Sequence, residues 1–177
     1  HMGYRSLLFI NLSLVLALFS CGGTNDAPDL DLLTAINQGD IIVVKEHMHS
    51  GTDPNKSPIP KSIPLEGAYA IHLAVAKGNA EIVKILLDNG ADIEKKAKNN
   101  ERATPLHWAV FFVHPAMVSL LLDSGAAVNS KDVHSSTPLD TAAYTQFMHR
   151  GNPAILEKIS EMEQIIKENG GKLAKDL

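Results

Sequence analysis

From about Asp29 onward, the apolar positions form blocks that return in the same order. Ile71, Leu73, Ala74 and Val75 are followed, across Gly78-Asn79, by Ile82, Val83, Ile85, Leu86 and Leu87. Thirty-five residues later come Leu106, Trp108, Ala109 and Val110, then Met117, Val118, Leu120, Leu121 and Leu122. Residues three and four apart share a helix face, so each block predicts an amphipathic helix and each copy a pair of them. The spacing is strict: His72 to Gly90 and His107 to Gly125 are both 18 residues. An earlier copy runs from Leu33 to Gly51, also 18, through Ala35, Gly39, Val43 and Val44; a later one starts at Thr137-Pro138-Leu139-Asp140 and ends at Gly170. A helix pair cannot bury its apolar face alone, so four copies with a period in the thirties predict an all-α solenoid of stacked pairs.

Local signals agree. Pro105 and Pro138 fit a first helical turn, where the missing N–H has no intrahelical partner to lose. Asp40, Asn79 and Asn152 are expected to cap the second helices, each after a glycine able to end the helix before it. Ala74, Ala109 and Ala142 keep the first helices thin enough to stack. Val113 stands where a turn glycine is usual, and a β-branched residue resists positive φ, so this turn is expected to be built differently. In the first copy Glu46 and His47 replace Leu, which predicts a polar outer face at that end. The last copy is longer by twelve residues, five before Gly151 and seven after it. Seven residues are about two helical turns, so the outer helix can lengthen without rotating its buried face.

Two motifs sharpen the fold. Thr104-Pro105-Leu106-His107-Trp108-Ala109 and Thr137-Pro138-Leu139-Asp140-Thr141-Ala142 resemble the ankyrin signature T-P-L-H-x-A. Gly90-Ala91-Asp92-Ile93 and Gly125-Ala126-Ala127-Val128-Asn129 resemble its G-A-D-V-N turn. The resemblance implies an ankyrin-repeat solenoid over 29–177, with repeats at about 29–60, 61–97, 98–131 and 132–177 and short β-hairpin-like connecting tips. It also implies that His72 and His107 are structural, each hydrogen-bonding the neighbouring turn.

Composition narrows the chemistry. Of 177 residues, 45% are apolar and 20% charged, which suits an ordered core and excludes wholesale disorder. A net charge of −4 gives no basic excess for nucleic acid. A single cysteine, Cys21, permits no internal disulfide and no Cys-rich zinc site. His47 and His49, two apart on a helix, diverge rather than share a metal. No nucleophile elbow, phosphate-cradling glycine loop or HExxH stretch is present. The expectation is a protein that is not an enzyme, with no catalytic residues, no metal and no cofactor.

The beginning of the chain has another character. His1, ahead of Met2, reads as a tag remnant. Leu7 to Phe19 are apolar except Asn11 and Ser13, Arg5 precedes them, and small polar residues follow. That is the layout of a signal peptide over 1–20, too short for a comfortable membrane span. Leu18-Phe19-Ser20-Cys21 resembles the lipobox of bacterial lipoproteins, which implies cleavage before Cys21, lipidation of its thiol, and a lipid-bearing tether over 21–28. By that resemblance the protein faces the periplasm on a lipid anchor, and Gly22 after the cysteine favours the outer membrane.

What remains is recognition. In ankyrin proteins partners meet the concave face, and the corresponding first-helix positions are Asn37/Gln38, Ala76/Lys77, Phe111/Phe112 and Tyr144/Thr145. Adjacent phenylalanines stand out there, with Tyr144 one repeat away, as hot-spot chemistry. The alternative is that the rings of Phe111 and Phe112 pack inward. Lys77 and the tip residues Glu66, Asn100, Glu101 and His134 complete the candidate partner surface. The segment Ser57-Pro58-Ile59-Pro60-Lys61-Ser62-Ile63-Pro64-Leu65 predicts a stiff extended strip exposing Ile59, Ile63 and Leu65, either a contact element or a plain loop. Lys95, Lys96 and Lys98 form a small basic tip. The expected function is capture of a partner protein by a monomer, for instance immunity against a toxin; a secreted effector binding host proteins and a periplasmic scaffold are the alternatives.

Overall fold

The computed structural model describes residues 28–61 and 64–177. Cys21, the lipobox-like stretch, the segment 22–27 and Ile63 lie outside the described residues.

Eight α-helices follow one another in pairs: α1 (Leu32–Gln38) and α2 (Ile41–His49), α3 (Ala70–Ala76) and α4 (Ala80–Asp88), α5 (Pro105–Phe111) and α6 (Pro115–Asp123), α7 (Pro138–Met148) and α8 (Pro153–Glu168). The odd-numbered helices stack in one layer and the even-numbered ones in another, each touching its own layer's neighbours and its hairpin partner. This is an all-α repeat solenoid, with no strand among the described residues. The core lies between the layers: Ile71, Leu106, Ile82, Leu86, Met117, Leu121, Ile159, Met162 and Ile166 are all fully buried. Ala74, Ala109 and Ala142 are completely buried, and their small size lets adjacent inner helices approach.

The caps form as their residue types demand. Asp40, Asn79 and Asn152 accept hydrogen bonds from the N–H groups of Val43, Ile82 and Ile155, each cap worth about 1 kcal/mol. Gly39 and Gly78 supply the left-handed turn before them, whereas Gly151 does not take positive φ. Pro105, Pro115, Pro138 and Pro153 each stand in a first helical turn. The connecting tips are hairpin-like without forming ladders. Ile59 pairs with Ala68, Ala97 with Ala103 and Asp132 with Ser136 within tips, while Lys98 N–H donates to Gly67 and Val133 N–H to Glu101 between them.

Three expectations are corrected. Val113 does adopt the left-handed turn, at φ 58°, in the place Gly78 fills at φ 69°; the Val110 and Ala109 carbonyls take the same turn bonds that Val75 and Ala74 take one repeat earlier. Tertiary structure overrides the local preference. His47 is buried rather than part of a polar outer face: Nε2 lies 2.7 Å from the Leu30 carbonyl and Nδ1 3.0 Å from Thr52 Oγ1. The ring closes the first repeat by tying down the segment before α1. Finally, Ile59 and Leu65 are half-buried and packed on the core. The proline strip is pinned by backbone bonds from Ile59 N–H to Ala68 and from Gly67 N–H to Ile59, so it is not a strip presenting those side chains.

Candidate functional site

The inner helices and the tips meet along one face, and the T-P-L-H residues set their separation. Tyr69 N–H donates to His72 Nδ1, and His72 Nε2 reaches the Ala103 carbonyl at 3.2 Å. His107 repeats this, with Thr104 on Nδ1 and the Ser136 carbonyl 3.0 Å from Nε2. Burial pushes the His72 imidazole down to about 4 and lowers His107 as well. Both rings are therefore neutral posts that hold each tip over the helix of the repeat before it. The structural reading of these histidines stands.

Between tips and inner helices lies a groove of about 720 Å³, running over the second, third and fourth repeats. Trp108 forms its floor and is nearly buried. Phe112 packs on Trp108 with ring centroids 5.6 Å apart, and Phe111 stands edge-on to Phe112 at 5.3 Å. Phe111 is 46% exposed and Tyr144, across the groove on α7, 55%. The two phenylalanines thus divide the roles left open between them: Phe112 joins the core margin and Phe111 faces out. Beyond Tyr144 the added turn of α7 presents Phe147 and Met148, both exposed, with the Arg150 guanidinium 5.0 Å from the Phe147 ring.

The polar lining is acidic. Glu66, Glu101, Asp132 and Asp140 contribute carboxylates, and no lysine or arginine lines the groove. Asp140 stands where the other motif copies have histidine. Burial works against its charge, yet N–H bonds from Thr137 and Ala174 outweigh that and hold its carboxyl below the usual range. Glu101 pairs with His134 Nε2 at 3.0 Å, an exposed contact.

Of the candidate partner residues, Glu66, Glu101, Phe111, Phe112, His134 and Tyr144 line this groove. Lys77 does not; its ammonium donates to Asn37 one repeat away. Asn100 is exposed on the tip but is not part of the lining. Sequence reasoning passed over Trp108, Asp132 and Asp140. The departure at Asp140 from the motif's histidine, and an indole where the preceding repeat has Leu73, were the available signals. The basic tip disperses: Lys95 lies 4.6 Å over the Tyr69 ring and Lys96 donates to the Lys131 carbonyl. Among the described residues no His/Cys/Asp/Glu group could hold a metal ion, and no helix is long and apolar enough to cross a membrane.

Comparison with known proteins agrees with this geometry. The profile described as Ankyrin repeats (3 copies) matches residues 32–132. The chain is 38% identical over 77 residues to the potassium channel AKT1 of Arabidopsis thaliana, covering 42% of this chain and 8% of the channel. It is 34% identical over 77 residues to the 2-5A-dependent ribonuclease of Mus musculus, covering 44% of this chain and 10% of that protein. With the human ankyrin repeat domain-containing protein 35 it shares 36% over 85 residues, 45% of this chain and 8% of the relative. The chain therefore spans a tenth or less of these proteins, and the shared part is the repeat.

Proposed function

This chain belongs to the ankyrin-repeat family, whose repeats are protein–protein interaction modules, and from that premise we propose that it docks one partner protein in its aromatic groove and catalyses nothing. The observation that carries this reading is the side-by-side exposure of Phe111 and Tyr144 over the Trp108–Phe112 floor. Large rings held by packed neighbours lose little entropy on binding and give up much apolar surface, which is what a hot spot requires.

The setting is the cell envelope, where Cys21 carries lipid and the module faces the periplasm. Acyl chains contribute about 0.8 kcal/mol per buried methylene, so several of them would hold it firmly. A module of this kind suffices for immunity, since covering a toxin's surface at the membrane needs no chemistry. The lipobox-like Leu18-Phe19-Ser20-Cys21 supports the anchor.

Two measurements test this. A photo-cross-linking residue at Tyr144 should capture a discrete partner in cells, and one at Lys84, exposed on outer helix α4, should not; Phe111→Ala should weaken the adduct. Equal adducts at both positions would overturn groove docking. Cys21→Ala should move the protein from the membrane fraction to the soluble one. Wild-type protein found wholly soluble outside the cell would replace the anchor with a secreted effector.

A further inference from the structure

We propose that the groove receives an arginine side chain of the partner protein, its guanidinium lying against the aromatic rings and paired with the surrounding carboxylates. This deepens the docking reading and rests on it.

Charge and ring chemistry point to the same occupant. Four carboxylates line the groove without a lysine or arginine to offset them, and Arg102, next in the chain to Glu101, is exposed and not part of the lining. The lining histidines do not reverse the sign. His107 is held neutral by burial, and His134, even when protonated, balances only Glu101 at 3.0 Å. Asp140 keeps its charge through the N–H groups it accepts from.

An apolar occupant would satisfy the rings but strip water from these carboxylates with no compensating charge. An acidic one would be repelled. A cation satisfies both surfaces, since aromatic faces attract positive charge and carboxylates pair with it. Arginine fits better than lysine, because its planar fork stacks on a ring while offering parallel N–H groups to a carboxylate.

Trp108 is the chain's single tryptophan and forms the groove floor, so its emission reports occupancy. The probe is acetyl-Gly-Arg-Gly-amide, and its control is the same peptide with citrulline, which keeps the shape and loses the charge. The expected result is a saturable emission change with half-response at or below about 10 mM, weakening as salt rises. Citrulline should require roughly tenfold more peptide. The Glu66→Gln/Glu101→Gln double variant should raise the half-point at least about threefold, with its melting curve unchanged to show that it folds.

Equal responses to both peptides, an undiminished response in the double variant, or no response in wild type would each overturn the arginine assignment. If the Tyr144 cross-link persists in those cases, groove docking survives without it. A lost cross-link beside an intact arginine response would instead overturn the partner protein as the source of the side chain.

Discussion

His72 Nε2 lies 3.2 Å from the carbonyl oxygen of Ala103, which belongs to the tip of the next repeat. Since Nδ1 accepts from Tyr69 N–H, the ring is neutral with its proton on Nε2, and a second proton would face a donor. Burial is the main cause of its lowered value of about 4. The unfolded chain takes up that proton below about 6.5 while the folded chain refuses it. Stability is therefore complete above about pH 6.5 and declines as the pH falls toward 4, by about 2 kcal/mol between pH 7 and pH 5 for His72 alone. His107, also lowered by burial, acts in the same direction. Urea denaturation across this range should show the decline, and His72→Gln should flatten part of it. A wild-type profile that is level from pH 7 to pH 5 would refute the neutral-post reading.

Val113 holds φ at 58° directly after the groove's phenylalanines. Left-handed backbone costs an L-residue about 1–2 kcal/mol, and glycine almost nothing. Replacing Val113 also removes a half-buried side chain packed on the core, so comparison with wild type mixes two effects. Comparing Val113→Gly with Val113→Ala separates them. Glycine should be the more stable by about 1 kcal/mol, the reverse of the usual order. Chemical denaturation midpoints check it, and alanine equal to or better than glycine would remove the strain.

Why was so much of the fold legible, and the site less so? The solenoid follows from repetition: one misread residue is corrected by its equivalents in three other copies, and caps, prolines and apolar stripes all agree. Where a copy departs from the rest, that redundancy is gone. His47 reads as surface because its partner, the Leu30 carbonyl, lies outside the repeat pattern. Val113 reads as a rebuilt turn because local preference is visible and the surrounding packing is not. The groove is intermediate. Phe111 and Tyr144 follow from their register on the inner helices, whereas the division of Phe111 from Phe112 depends on which ring Trp108 supports.

That division has a measurable consequence. Phe111 is 46% exposed, so Phe111→Ala should cost under about 1 kcal/mol of stability. Phe112 is half-buried against Trp108 and the core, so Phe112→Ala should cost about 2 kcal/mol or more. Partner cross-linking should suffer in the opposite order per unit of stability lost. Equal melting losses for the two variants would mean that both rings belong to the core.

The fifth residue after each repeat's closing turn reaches into the next repeat, and one copy does so incompletely. Asn55 donates to the Gly90 carbonyl at 2.8 Å and accepts from Asp92 N–H at 2.7 Å. Asn129 does the same with Gly170 and Lys172 N–H. Glu94 holds the equivalent place and accepts from Ala127 N–H at 2.8 Å, but an ionised carboxylate has no N–H to offer Gly125. Burial also raises the Glu94 carboxyl above its ordinary range, so its charge works against folding at neutral pH. Glu94→Asn supplies both halves of the bridge and removes the charge. It should stabilise the protein by about 1 kcal/mol, the net value of one such bond. Because the folded value is the raised one, the charge penalty is full above it and vanishes below the ordinary glutamate value. The advantage of asparagine should accordingly be largest at pH 7 and shrink toward pH 4. Paired urea titrations of the two proteins at both pH values measure it, and a variant less stable than wild type at pH 7 would show that this bridge does not couple the second and third repeats.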